Sequence, residues 1–291
     1  MSVPDRRVIT TLKYSKYRVK PVVVNGEPAL NWQVPYLVSI KEPISKRGVL
    51  KLWANLCGGS IIKKDVILTA AHCFEGDNFY YAKRSHILRA VAGNIHTSLQ
   101  HTGESGRSKA GSQWRQFKTI HLHKKFNFPN NDLALGYMDY PWDFEQTGIK
   151  PITVARTTTD RLGACITAGY GKTGHRTKDN TSQVLLLAPI DTMPRVQCSL
   201  LWEMNMDKFV CSNSLRTDVS EGDSGSPLTC VHAQDGAARD GRDLLVGVVS
   251  GKNFDKTTLF TRVSAFHDWV TANMLTEELV YLCGNILHYN G

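Results

Sequence analysis

The sequence predicts an all-β fold with barrels. Three observations lead there. Short apolar and β-branched runs recur along the chain, broken by Gly-rich turns. No internal repeat or doubly wound pattern competes with them. Helical periodicity appears only near the end, where Trp269 and Val270 follow Phe266 at helical spacing and Asp268 stands near the helix start. With 291 residues, 42% of them hydrophobic, the chain can hold one large domain or two medium ones.

The elements follow in order. Residues 1–22 read as a leader or pro-segment, polar and basic through Arg6, Arg7, Lys13, Lys16, Arg18 and Lys20, with no signal-peptide apolar core. Ordered sequence begins at VVNG, 23–26. LVSI at 37–40 is a strand, and KEPISKRG at 41–48 is a polar loop. LCGGSII at 56–62 and the strand from Val66 to Leu68 flank a Lys63-Lys64-Asp65 turn. TAAHC, 69–73, places His72 at a strand end among small residues. Taken alone, His72 is a packed histidine as readily as a functional one.

Leu88 to Ala92 is a strand, 97–113 an exposed loop, and Phe117 to His123 a strand again. In FPNNDLAL, 128–135, Asp132 stands between a turn and an apolar run, the ordinary place for a turn former or cap. Residues 141–160 wrap the surface. CITAGYG, 165–171, Val184 to Ile190 and KFVC, 208–211, are strands, and 193–200 is a short helix. Between them, Asn180-Thr181-Ser182 is a glycosylation sequon. Pro227 to Val231, Leu244 to Ser250 and Leu259 to Val263 are the last strands, and 232–243 is a polar hairpin loop.

TDVSEGDSGSPLTC, 217–230, carries the chemistry. Glycines at 222 and 225 frame a turn too tight for a Cβ, which can hold the Ser224 side chain outward. A serine hydroxyl needs a base to become a nucleophile, and the base needs an orienting group. His72 and Asp132 are the candidates.

Composition narrows the partners. A net charge of +9 favours acidic surfaces generally. There is no zinc-finger spacing and no basic-aromatic array, so nucleic acid is not expected as a partner. The basic residues either keep the protein soluble or meet anionic glycans or a cell surface. No run is long enough to cross a bilayer. Seven cysteines, if paired, imply an oxidising, extracellular setting. No cofactor and no metal site is expected.

These motifs, in this order, closely resemble the chymotrypsin-like (trypsin-fold) serine proteases. VVNG, CGGSII at 57–62, TAAHC, NDLAL at 131–135, CITAGYG, EGDSGSPLTC at 221–230 and LFTRVSAFHDWV at 259–270 carry the likeness, with His before Asp before Ser. The resemblance implies two packed six-stranded antiparallel β-barrels with a C-terminal helix. It places a protease domain at 23–272, with its active site between the halves, and an extension, expected to be helical, at 273–291.

The resemblance further implies a serine endopeptidase with His72 as general base, Asp132 as its orienting carboxylate and Ser224 as nucleophile. The Gly222 and Ser224 N–H groups form the oxyanion hole. Ser250 supports the aspartate and, with Asp218, Lys252 and Thr258, belongs to the specificity region. Val23 is the implied new amino terminus, inserting beside Asp223. Lys20-Pro21-Val22 lacks the basic residue expected before that cut, so trimming, another activator and another amino-terminal arrangement stay open. The implied disulfides are Cys57–Cys73, Cys165–Cys230 and Cys198–Cys211, each worth roughly 2–4 kcal/mol. Cys283 is the odd cysteine, either free or paired between chains.

Specificity is divided. Asp218 favours cleavage after Arg or Lys. Ser220 replaces the usual pocket cysteine, Thr258 narrows a wall that is usually glycine, and Lys252 is placed to neutralise Asp218 if it points inward. Another or narrower specificity, or weak action on free peptides, follows from those departures. The implied partners are a protein or peptide substrate and a macromolecular inhibitor. A non-catalytic homologue serving as a binding module is the alternative.

Overall fold

The protein, a computed structural model, is described for residues 27–47, 50–93, 98–102, 111–145, 148–171, 182–213, 219, 222–231, 243–252 and 257–274. Its strands form two curled sheets, antiparallel except for one two-residue pairing. A two-residue strand, β1 (Glu27–Pro28), joins the second of them.

The first sheet contains β2 (Leu37–Arg47), β3 (Leu50–Lys63) and β4 (Val66–Thr69). A kinked helical segment, α1 (Gly76–Lys83), left-handed at Asp77, Asn78 and Phe79 (φ 48°, 55° and 61°), separates them from β5 (Arg89–Gly93) and β6 (Gln100–Thr102). The long β7 (Ser112–Leu122) and β8 (Ala134–Met138) complete it. Pairing runs β2-β5-β7-β8-β4-β3, and β3 pairs back onto β2, which closes a six-stranded barrel; β6 is an addition on β3. Closure removes the free edges of those six strands. The interior is filled by Val38, Ile40, Ile61, Ile67, Leu68, Val91, Phe117 and Leu135, all essentially inaccessible.

Two sequence expectations change here. The loop expected at 41–48 is strand as far as Arg47, paired with β3 from Lys41↔Asn55 to Arg47↔Leu50. Charged residues there obscured a long hairpin. The ladder absorbs Pro43 at a register shift between Pro43 and Ser45, one of the few places in a sheet that tolerates proline. The exposed loop expected at 97–113 holds β6 and the start of β7, with Ser98 and Thr102 buried. Residues 103–110 lie outside the described part.

Lys41, within that hairpin, is fully buried. Its Nζ donates to the Ser98 carbonyl at 2.9 Å and lies 5.6 Å from the Tyr170 ring centre. Burial pushes its amine down to about 7. The unfolded lysine titrates near 10.4, so between these values the unfolded chain holds a proton that the folded chain has released. Stability therefore rises with pH across that window, by about 1.4 kcal/mol per unit from this group, and the gain is lost as pH falls to 7. Lys41→Met should remove that slope and raise stability at pH 6–7. Urea unfolding at pH 6 and pH 9 checks it.

The second sheet begins with β9 (Thr153–Val154), β10 (Cys165–Gly169), β11 (Leu186–Ile190) and β12 (Thr192–Met193). The expected helix at 193–200 is α2 (Arg195–Trp202). β13 (Phe209–Ser212), β14 (Pro227–Val231), β15 (Asp243–Lys252) and β16 (Thr258–Arg262) follow. Pairing runs β1-β11-β10-β14-β15-β16-β13-β12, with β9 parallel to β15. Only Asp191 separates β11 from β12, so one stretch of chain serves both margins and the sheet curls back on itself.

A 3-10 turn, Val263–Phe266, leads into helix α3 (267–274). Phe266 and Val270 are buried as their spacing predicts. Residues 275–291, including Cys283, lie outside the described part. Among the described residues no helix is long and apolar enough to cross a membrane.

At the end of β16 the side chain of Arg262 is buried, 2% exposed. It donates to the carbonyls of Phe209 and Thr159 and to Asp160 Oδ1 at 3.1 Å. Arg195 Nε meets the other oxygen of Asp160 at 3.0 Å. Asp160→Ala should cost about 3 kcal/mol, because a buried guanidinium loses its counter-charge. The midpoint of urea unfolding reads that loss.

Candidate active site

His72 is carried by a 3-10 turn, Ala71–Phe74, directly after β4. Ala70, Ala71 and Phe74 around it are inaccessible, and Cys73 is tied to Cys57 on β3. The histidine is thus held from both sides of its own sequence. Asp132 arrives from the turn before β8 and is fully buried.

The two are joined twice. The His72 backbone N–H donates to Asp132 Oδ1 at 2.9 Å, and Nδ1 lies 2.7 Å from Oδ2. Ser250 Oγ, on β15, donates to Oδ2 at 2.5 Å. Thr261 Oγ1 donates to the Asp132 main-chain carbonyl at 3.2 Å. The carboxylate therefore accepts on both oxygens, and its contact with Nδ1 orients the His72 ring. Burial by itself would lower the His72 pKa, but the charge and hydrogen bond of Asp132, with the Glu75 charge, raise it overall.

Ser224 is half-buried in the turn before β14. Gly222 and Gly225 have φ of +98° and +78°. A Cβ on Gly225 would lie 2.3 Å from Thr69 Oγ1 and 2.5 Å from the Gly58 carbonyl, so glycine is required there for space as well as for conformation. The turn is fastened to both sheets. Gly58 N–H donates to the Ser224 carbonyl at 2.7 Å, and Gly225 N–H donates to that of Val249 at 2.9 Å. Thr69, three residues before His72, donates to the Gly58 carbonyl. The serine turn and the histidine turn thus share one set of anchors.

The Asp223 carboxylate is buried beside Gly169, where a Cβ would lie 1.9 Å from its Oδ1. That oxygen accepts the Gly171 N–H at 2.8 Å. Val23, Asp218, Ser220 and Asn180 lie outside the described residues. Lys252 pairs with Thr258 through the backbone, and the Thr258 side chain is fully buried.

The disulfides are the three expected: Cys57–Cys73, Cys165–Cys230 and Cys198–Cys211. Among the described residues no group of His, Cys, Asp and Glu is arranged to hold a metal ion.

Other residues at the site escaped sequence reasoning. Asn55 Nδ2 donates to the Gly222 carbonyl at 3.0 Å, fixing one end of the serine turn. The Phe128 ring meets His72 edge-on, 5.4 Å between centres, and packs against Gly251. Phe128 is only four residues before Asp132, but nothing in the local pattern marks it as a wall of the site.

The carboxylate-oriented histidine and the glycine-framed serine turn are thus carried on neighbouring, mutually anchored elements. Residues 23–270 match the family model described as Trypsin, and the chain belongs to that family. Chymotrypsin-C of Rattus norvegicus is 30% identical over 258 residues, covering 85% of this chain and 87% of the rat protein. The suppressor of tumorigenicity 14 protein homolog of Bos taurus is 30% identical over 264 residues. That match covers 87% of this chain but 28% of the bovine protein.

Proposed function

We propose that the protein is a secreted serine endopeptidase that cleaves peptide bonds through an acyl-enzyme. Ser224 Oγ attacks the scissile carbonyl while His72 Nε2 takes its proton. Asp132 keeps the other imidazole nitrogen protonated and stabilises the imidazolium. The oxyanion of the tetrahedral intermediate is met by the N–H groups of Gly222 and Ser224. His72 then protonates the leaving amine, and water repeats the sequence on the ester.

The observation that carries this reading is the chain Ser250–Asp132–His72, with both carboxylate oxygens occupied. Secretion is supported by the three disulfides. Membership of the family supports a protease domain at 23–272, activated by a new amino terminus at Val23 that pairs with Asp223. Asp218 directs cleavage after Arg or Lys, within a pocket narrowed by Thr258 and bordered by Lys252.

Labelling with a fluorophosphonate after controlled proteolysis tests the chemistry. Labelled protein starting at Val23 is expected, and no labelling under any processing condition leaves the binding-module alternative. A positional-scanning peptide library then reads specificity; without preference for Arg or Lys, the role of Asp218 fails.

A further inference from the structure

Lys41 and Asn55 face each other across the β2–β3 hairpin, at the register shift between Ile40 and Lys41. A bulge of this kind re-aims the side chains beside it. Here it places two polar groups behind the serine turn. Ser39 Oγ donates to Asn55 Oδ1 at 2.6 Å, which leaves the amide Nδ2 to meet the Gly222 carbonyl. The Asn55 main-chain N–H and Lys41 Nζ donate to one shared acceptor, the Ser98 carbonyl, at 3.1 and 2.9 Å. Ser98 is tied in turn to the second half of the molecule, because its own N–H donates to the Gln183 carbonyl at 3.0 Å.

The same amine reaches the turn by a second route, since it lies against the Tyr170 ring. Gly222 rests on the backbone of Tyr170 and Gly171. A Cβ on Gly222 would stand 3.5 Å from the Tyr170 carbonyl and 3.7 Å from Gly171 Cα. The Gly171 N–H also holds Asp223. One buried side chain thus touches both the carbonyl that locates Asn55 and the segment that backs Gly222 and Asp223. Stability gives no reason for an amine here. Burial lowers the Lys41 pKa, and at neutral pH that costs folding free energy.

We infer that Lys41 is a positioning residue for the oxyanion-binding face of the serine turn, acting through Ser98 and Asn55 on Gly222. The inference rests on the peptidase reading, in which the Gly222 N–H meets the oxyanion. Such a donor is effective only when it is fixed in place before charge develops. Methionine in place of Lys41 fills the space of the lysine stem but donates nothing to the Ser98 carbonyl. Asn55 is then less firmly located, and a displacement of ~1 Å at a reacting group can cost about 10²-fold in rate.

The test uses the full chain, processed as for labelling, with 4-nitrophenyl acetate as the acylating ester. Stopped-flow kinetics separate the acylation rate from ester binding. Lys41→Met should slow acylation about tenfold with binding unchanged, while its urea midpoint at pH 7 rises. Asn55→Leu should slow acylation at least as much, and the double variant should match Asn55→Leu within about twofold. Amide hydrogen exchange gives a readout that needs no turnover. Residues 222–226 should exchange about fivefold faster in Lys41→Met. A wild-type acylation rate in Lys41→Met, or losses that multiply in the double variant, overturns the inference. So does slower acylation with a lower urea midpoint, the mark of general loosening. Wild-type protein that never acylates sinks the peptidase reading instead. Exchange alone then decides the link from Lys41 to the turn: faster exchange at 222–226 upholds it and unchanged exchange overturns it.

Discussion

Ser224→Ala should lower kcat/KM on a cleaved peptide by at least 10³-fold, and roughly 10⁶ is reached where such a set acts as a unit. The fold should survive. The contacts that fasten this turn are made by main-chain atoms, Ser224 O to Gly58 N and Gly225 N to Val249 O, and alanine keeps them. Thermal unfolding of the variant should match wild type, and fluorophosphonate labelling should vanish. If the peptidase rate is unchanged, the nucleophile lies elsewhere. If there is no wild-type rate to lose, the chain is a binding homologue.

Asp132→Asn should cost about 10⁴-fold in kcat, from a change of one atom type. Both carboxylate oxygens accept hydrogen bonds, one from the His72 backbone N–H and the other from Ser250, with Nδ1 against the second. An amide has a single acceptor oxygen. If that oxygen keeps the His72 N–H, its NH2 faces Nδ1 and forces the imidazole proton onto Nε2. The nitrogen that must accept the serine proton is then already occupied.

The same variant tests the electrostatics. In the native protein, burial opposes the charge of His72, while Asp132 and Glu75 raise its pKa above the ordinary 6.5. Catalysis needs the neutral imidazole, so the native acidic limb of kcat/KM should have its midpoint above 6.5. Removing the Asp132 charge should move that midpoint down in the residual activity. A limb that stays in place would show that another group sets it.

Much of this site can be read along the chain, because its chemistry lies in short contiguous motifs. TAAHC and GDSG each specify a local backbone shape, and the shapes are those observed. What does not read locally is made by residues distant in sequence. Thr261, Asn55 and Phe128 are ordinary strand and loop residues until the fold brings them to Asp132, Gly222 and His72. The hairpin through 41–47 was hidden for a related reason. Its alternation is overwritten by charge, and Lys41 is buried although its neighbours made it look solvated. The α1 segment did not read as a helix because its first half is a left-handed turn at Asp77, Asn78 and Phe79, which no apolar period marks. Asp218 was prominent in the sequence but lies outside the described residues, so specificity still rests on the family pattern.

The fastening of the serine turn has a consequence for the order of assembly. Ser224 rides on the second sheet, yet its carbonyl is held by Gly58 of the first, and Tyr36 meets Thr229 across the same divide at 2.9 Å. Neither half contains the whole of the proposed catalytic set. During refolding, each sheet can collapse and regain its circular dichroism before any turnover is possible. Activity then reports the docking of the halves, a step slower than the formation of local structure. Refolding followed by both signals should show activity returning after the sheets have formed. Fragments split between 155 and 156 should recover it only when mixed.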